Sequence, residues 1–119
     1  MEADELAALD FCYVTTTGRR TGHPHTIEIW FALEGRTLYL LSGGGDSSDW
    51  VKNLVTDGTV GVRLGDGEYI ARGRVVEDPD ERGRARELVF AKYSPRDPDL
   101  EEWRDRSLPV AIDLPIDPA

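Results

Sequence analysis

Apolar residues recur at every second position in several segments of the chain, which is the spacing of a strand with one buried face. Residues 26–34 are predicted to form one strand whose buried face carries Ile27, Ile29, Phe31 and Leu33. The same pattern predicts strands at residues 11–17, 37–42, 59–64, 68–77 and 108–114. Short turns containing glycine connect most of these segments, among them residues 18–22, 34–36 and 65–67. The pattern therefore predicts an antiparallel sheet built from hairpins.

Three other segments show helical spacing. Residues 3–9 are predicted to form a short amphipathic helix. A second helix is predicted after the SGGG segment at 42–45, with Asp46 or Ser47 as its N-cap and an apolar face of Trp50, Val51, Leu54 and Val55. A third is predicted over residues 79–93, because Asp78 and Pro79 have the chemistry of a helix start and apolar residues recur at Ala85, Leu88, Val89 and Tyr93.

Together these elements predict a mainly β (α+β) fold, an antiparallel β-barrel of about six strands with peripheral helices. One domain is expected over residues 1–119, with its barrel at 11–77 and a final strand at 108–114. Trp30, Tyr39 and Leu41 fall on the strand faces opposite the expected core. An apolar outer face predicts a partner surface, and we expect a homodimer whose interface includes residues 26–34.

Composition and charge narrow the classes of function. The 119 residues contain 23 Asp plus Glu against 14 Lys plus Arg, a formal net charge of −9, which excludes a nucleic-acid partner. The acidic start MEADELAALD does not resemble a secretory signal and no apolar run is long enough to span a bilayer, so we expect a cytoplasmic protein. Cys12 is the single cysteine, which leaves no intramolecular disulfide and no CxxC site.

The segment between Asp10 and Glu28 contains no acidic residue, in a protein that is otherwise strongly acidic. It carries Arg19, Arg20, His23 and His25, together with the hydroxyls of residues 15–17. Arginine offers a donor fork that matches phosphate oxygens, so this segment is a candidate anion-binding site. The alternative is that both arginines are ordinary solvated residues of a hairpin.

The SGGGDSS segment is a second candidate anion-binding site, because glycine amides can converge at the start of a helix. It lacks the lysine and glycine spacing of a P-loop, and Asp46 and Asp49 place negative charge there. The alternative is a flexible loop before a capped helix. His23 and His25 lack a third ligand for a metal site, and no serine has the GxSxG context of a nucleophile.

Three segments, TTTGRRTGHPHT (15–26), SGGGDSSDWVKNL (42–54) and WRDRSLPVAIDL (103–114), resemble the deazaflavin-dependent nitroreductase family of split β-barrel oxidoreductases. The resemblance implies a hydride transfer from reduced coenzyme F-420, a deazaflavin with a phosphate and an oligoglutamate tail, to a small electron-poor acceptor such as a quinone, an enone or a nitro compound. FMN, which related split barrels bind, is the alternative cofactor. A noncatalytic cofactor-binding domain is the alternative from another class.

The resemblance also implies which residues contact the cofactor. Those expected near its phosphate or tail are Thr16, Thr17, Arg19, Arg20 and Thr21. Those expected near its ring system, or supporting that wall, are Ser42, Gly43, Gly44, Trp50, Lys52 and Asn53. Tyr93 stands where the family has a candidate proton donor, but Arg96 replaces a further tyrosine and the glycine loop lacks a lysine or arginine. The resemblance therefore leaves the acceptor open.

Overall fold

The computed structural model describes residues 3–116, and in that part of the chain seven strands form one antiparallel sheet. The first two and last three residues of the predicted domain lie outside the described residues. The strands are β1 (Cys12–Thr17), β2 (Pro24–Ile29), β3 (Ala32–Glu34), β4 (Thr37–Ser42), β5 (Thr59–Leu64), β6 (Gly67–Val75) and β7 (Leu108–Asp113). The helices are α1 (Ala3–Ala7), α2 (Asp49–Thr56), α3 (Pro79–Tyr93) and α4 (Glu101–Arg106).

The strand order across the sheet is β2-β1-β5-β6-β7-β4-β3, and every neighbouring pair is antiparallel. The two edge strands, β2 and β3, follow each other directly along the chain. The sheet is therefore curled so that its edges approach each other, which is the antiparallel split β-barrel that the resemblance implied. The count of about six strands was one too low.

The extra strand arises because the single strand predicted over residues 26–34 is wrong. The chain leaves one sheet edge after Ile29 and joins the other at Ala32. Between them the Phe31 amide donates to the Tyr93 hydroxyl at 3.1 Å, and the Phe31 carbonyl accepts from Lys92 Nζ at 3.1 Å. Side chains of α3 thus satisfy backbone groups that a continuous strand would give to its neighbour.

Apolar side chains form two cores, one on each side of the sheet. Inside the barrel lie Val14, Phe31, Leu38, Val62 and Ile112, all at most 2% exposed. On the outer side, α3 covers β4, so Tyr39 is 6% and Leu41 3% exposed. The outer face of Trp30, Tyr39 and Leu41 is thus covered by the chain's own helix. This corrects the reasoning that predicted a homodimer from that face.

The predicted helices are mostly confirmed. Helix α3 spans the predicted residues, and the Asp78 carboxylate accepts from the Glu81 amide at 2.9 Å as an N-cap. Helix α1 ends two residues earlier than predicted. Helix α2 begins after Ser48, so neither Asp46 nor Ser47 is its N-cap, and Val55 is 67% exposed instead of joining its apolar face. Within residues 3–116, no helix combines the length and apolar character needed to cross a bilayer.

Candidate functional site

A cleft of about 750 Å³ lies between the turn joining β1 to β2 and the first turn of α2. We call it the hairpin–helix cleft. Its walls come from three places: the turn, strand β2 and helix α2. The lining residues are Gly18, Arg19, Arg20, Thr21, His23, Pro24, His25, Thr26, Ile27, Asp49, Trp50 and Asn53.

The hairpin turn has a closed backbone hydrogen-bond pattern. The Gly18 amide donates to the His23 carbonyl, and the Gly22 amide donates to the Gly18 carbonyl, both at 2.8 Å. Gly22 has a φ of +76°, a conformation that disfavours a side chain. A Cβ on Gly18 would lie 2.7 Å from His25 Nε2, so this glycine lets the His25 ring approach the backbone. The backbone of the turn therefore has a fixed conformation at the mouth of the cleft.

Arg19 and Asn53 join the turn to α2. Asn53 is 4% exposed, and its Oδ1 accepts from the Arg19 backbone amide at 3.2 Å and from Arg19 Nη1 at 2.8 Å. Its amide nitrogen donates to the Thr16 hydroxyl at 3.2 Å. Arg19 also forms an ion pair with Asp49 at 3.2 Å. The Arg19 side chain is 21% exposed, and its guanidinium is thus bound by Asn53 and Asp49 instead of being available to a ligand.

Arg20 differs from Arg19 in this respect. It is exposed, and among residues 3–116 it forms no ion pair and no side-chain hydrogen bond. Thr21 and His25, both exposed, lie beside it. Another part of the cleft is lined by the half-buried side chains of Ile27 and Trp50, which form an apolar wall. Among its described residues the cleft thus combines one available cation with an apolar surface, a combination suited to an anionic ligand that carries a flat ring.

Four of the other predicted residues lie around this cleft in different ways. Thr21 and Trp50 line it. Thr16 is buried beneath it and reaches it only through Asn53. Thr17 is half-buried at the end of β1, next to the turn.

Lys52 lies outside the cleft, on the other side of α2. There it lines a groove of about 460 Å³, the side groove, together with Asp46, Val51, Val55, Thr56, Val75 and Leu108. Arg19 lines both spaces. Lys52 and Arg20 therefore line different spaces, which share Arg19.

The glycine loop is placed apart from the hairpin–helix cleft. Ser42 is 2% exposed, and its hydroxyl donates to the Gly45 carbonyl at 2.8 Å. A Cβ on Gly43 would lie 3.2 Å from Trp103 Nε1, and one on Gly44 would clash with the Ser48 hydroxyl. The loop packs against itself and α4, and none of Ser42, Gly43 and Gly44 lines the cleft.

Tyr93, the candidate proton donor, is 1% exposed. Its hydroxyl donates to the Asp10 carbonyl at 2.8 Å and accepts from the Phe31 amide, and its ring stacks on Trp30 at 4.2 Å. Burial raises the pKa of Tyr93 to about 12. This position gives Tyr93 the role of holding α3 against the crossover between β2 and β3.

Two residues that line the cleft were assigned other roles from the sequence. The period-two pattern predicts Ile27 as a core residue, and it does pack against the barrel core, but it is only half-buried and also lines the cleft. Asp49 was read only as negative charge near a helix start, whereas it pairs with Arg19. A signal for Asp49 existed in its position one helical turn before Asn53, because residues at that spacing share a helix face.

The comparisons with known proteins agree with this fold. The model of the family described as "F420H(2)-dependent quinone reductase" matches residues 2–115. A solved F420-H2 dependent reductase is 24% identical with a TM-score of 0.69, over 87% of this chain and 92% of that one. A conserved hypothetical protein from Mycobacterium tuberculosis is 21% identical with a TM-score of 0.77, over 98% and 82% of the two chains. A structure described as a domain-swapped dimer is 25% identical with a TM-score of 0.69, over 87% and 78%.

Proposed function

This chain belongs to the F420H(2)-dependent quinone reductase family, and we propose that its hairpin–helix cleft holds the cofactor, with Arg20 facing the phosphate. The protein is an oxidoreductase that depends on coenzyme F-420. The observation that carries the proposed site is the guanidinium of Arg20, which has no partner among residues 3–116, beside the apolar wall of Ile27 and Trp50.

The residues of the cleft fit this cofactor. A phosphodiester needs a cation and hydrogen-bond donors, which Arg20 and the hydroxyl of Thr21 supply. A deazaflavin ring needs a flat apolar surface, which Trp50 and Ile27 supply. The Arg19–Asn53 hydrogen bond holds the turn at a fixed distance from α2, so the cleft is formed before binding.

When bound in its reduced form, the cofactor supplies the hydride. The residues of the cleft then have three tasks: to anchor the phosphate, to orient the ring and to limit access of water to the ring face. Arg20 performs the first, and the wall of Ile27 and Trp50 performs the other two. The hydride brings two electrons to the acceptor, and one proton completes its reduction. Because the mouth of the cleft is lined by exposed residues, solvent can deliver this proton.

We propose a quinone as the acceptor, in keeping with the family. A flat, uncharged quinone can lie against the cofactor ring without requiring a further ionised side chain. Enones and nitro compounds share the electron-poor character and are the competing acceptors.

The test has two steps. Fluorescence titration of the purified protein with coenzyme F-420 and with FMN should give saturable binding of the deazaflavin. Reoxidation of the reduced deazaflavin, followed as the return of the absorbance of its oxidised form, should then accelerate on addition of a quinone. A preparation that is yellow with flavin and indifferent to the deazaflavin would contradict the proposed cofactor site.

We also propose that the protein forms a homodimer. Ile70 on β6 is 73% exposed and lines a groove together with Thr15 on β1 and Gly61 and Arg63 on β5. The Thr15 and Thr26 hydroxyls, 2.7 Å apart, extend this face to β2. A second copy would bury Ile70. Light scattering should report a dimer for the wild type and a monomer for Ile70→Glu, and a monomeric wild type would contradict the proposal.

A cytoplasmic location stays a prediction.

A further inference from the structure

We propose that His25 is a second, pH-dependent cation of the hairpin–helix cleft, which makes the affinity for the anionic cofactor increase as the pH falls. This inference rests on the proposed cofactor site and extends it to a linkage between cofactor binding and proton binding. It starts from the position of the His25 ring.

The His25 side chain lies between the two parts of the cleft that the proposed site uses. Side chains alternate between the faces of a strand, so His25 shares a face of β2 with Ile27 of the apolar wall. On the neighbouring strand β1 it stands opposite the neutral Thr16. Its Nε2 would lie 2.7 Å from a Cβ on Gly18, the first residue of the turn that carries Arg20. The ring is thus placed at the end of the apolar wall that is nearest the turn.

The His25 ring is available to a ligand. It is exposed, and within residues 3–116 it forms no ion pair and no side-chain hydrogen bond. The turn places Arg19, Arg20 and His23 among the residues that line the same cleft. An anion drawn to this group of side chains favours the protonated form of the ring.

The carboxylates nearest to His25 are taken up by other side chains. Asp49 is the acidic residue that α2 contributes to the described lining of the cleft, and it pairs with Arg19 at 3.2 Å. Glu28 lies on the other face of β2, where it accepts from the Tyr13 hydroxyl at 2.7 Å. A protonated His25 therefore keeps its charge for the phosphate of the ligand instead of sharing it with a carboxylate among the described residues.

Proton binding and anion binding then reinforce each other. Histidine changes its charge between about pH 5 and 8, and the protonated ring donates from both nitrogens. Linkage requires that the proton strengthens anion binding by the same factor by which the anion strengthens proton binding. The chain contains 2 histidines, and both line the cleft. Titration in this range therefore reports mainly on the cleft.

The experiment measures the dissociation constant of coenzyme F-420 by equilibrium dialysis at about pH 5.5 and about pH 7.5, for the wild type and for His25→Gln. Ionisation of the ligand itself is common to both proteins, so the quantity compared is the ratio of the two constants at each pH. His25→Gln should bind about three- to fivefold more weakly than the wild type at the lower pH. The ratio should approach one at the higher pH.

His23→Gln is the matched control, because it removes the other histidine of the cleft, which lies in the turn before β2 begins. Its dissociation constant should stay close to that of the wild type at both pH values. Calorimetric titration in buffers of different ionisation enthalpy gives a second measurement. At about pH 6.5 the wild type should take up part of a proton for each cofactor bound, and His25→Gln should take up less.

The outcomes separate this inference from the proposed site. The same ratio for His25→Gln at both pH values would overturn the role of His25, and so would a pH effect that disappears in His23→Gln instead. Binding by the wild type without proton uptake would overturn it independently of any variant. A wild type that binds no coenzyme F-420 at either pH would overturn the proposed cofactor site as well.

Discussion

The guanidinium of Arg19 donates from Nη1 to the side-chain oxygen of Asn53 at 2.8 Å, across the boundary between the β1–β2 turn and helix α2. The same oxygen accepts from the Arg19 backbone amide, and the Asn53 amide nitrogen donates to Thr16. One buried amide therefore joins a strand, a turn and a helix. It sets the separation of the two walls of the cleft.

Replacing Asn53 with leucine should destabilise the protein and weaken cofactor binding together. The substitution keeps a similar volume but leaves the Thr16 hydroxyl and the Arg19 amide without their partner. We expect a loss of about 1–3 kcal/mol in the free energy of unfolding, measured by urea titration without cofactor. Val55→Ala, on the exposed side of the same helix, should change it by less than about 0.5 kcal/mol. An Asn53→Leu protein as stable as the wild type would show that the amide bridge is not formed in solution.

Gly18 is expected to tolerate no side chain. A Cβ there would lie 2.7 Å from His25 Nε2 and 3.1 Å from the His23 carbonyl oxygen. The His25 ring can rotate away, but the carbonyl belongs to the hydrogen-bonded turn and must shift. Gly18→Ala should therefore cost about 1–3 kcal/mol in stability and weaken cofactor binding.

Gly83→Ala is the matched control for that substitution. Gly83 lies inside α3, where an added Cβ would meet no atom within 4 Å. The alanine should raise the melting temperature, because it favours the helix by about 1 kcal/mol. A Gly18→Ala protein that behaves like Gly83→Ala would contradict the close approach of His25.

The partly buried ammonium group of Lys92 is expected to make the free energy of unfolding depend on pH. Its ammonium group lies 2.6 Å from the Leu9 carbonyl oxygen and 3.6 Å from the centre of the Phe31 ring. Burial lowers its pKa to about 8, against a partly opposing effect of Asp10. Between this value and the ordinary lysine pKa of about 10.5 the unfolded chain binds more protons than the folded one, so this contribution to stability increases with pH.

The measurement is urea unfolding between about pH 7.5 and 8.5. This range lies below the ordinary pKa of tyrosine, above which the pKa of Tyr93, raised by burial to about 12, would oppose the trend. Burial also raises the pKa of Cys12, from about 9 to about 12, and this opposing contribution begins only near the upper end of the range. Stability should rise across the range in the wild type and change less in Lys92→Met. Identical slopes in the two proteins would show that Lys92 is not responsible.

Much of the fold could be predicted because local patterns determine it. The Gly65–Gly67 turn between β5 and β6 and the Asp78–Pro79 start of α3 are encoded by adjacent residues, and both lie where expected. The break at Trp30 and Phe31 could not be found this way. It depends on Tyr93 and Lys92, about 60 residues away, which take up the backbone groups of Phe31. The same helix buries Tyr39 and Leu41, whose outward spacing had indicated a dimer interface.

The candidate site was predictable in composition but not in arrangement. The acid-free segment located Arg19, Arg20 and the histidines of the cleft. That Arg19 is bound by Asn53 and Asp49, while Arg20 has no partner in the described residues, depends on where α2 packs against the turn. The glycine loop had the composition of an anion-binding loop, but the Ser42 hydroxyl is hydrogen-bonded to the Gly45 carbonyl and to Ser48, and Gly43 lies against Trp103.

The most direct measurement is the affinity of Arg20→Glu for coenzyme F-420, by fluorescence titration at two salt concentrations. Arg36→Glu, which makes the same charge change in the β3–β4 turn, is its control. Arg20 is the one arginine of the cleft without an ion-pair partner in the described part of the chain, so reversing its charge should weaken binding about a hundredfold, or about 2–3 kcal/mol. Wild-type affinity should fall as salt increases. Arg20→Gln should lose less, and neither variant should change the melting temperature without cofactor, because Arg20 has no partner among residues 3–116. If Arg20→Glu binds the deazaflavin as tightly as Arg36→Glu at either salt concentration, the cofactor does not bind through this hairpin.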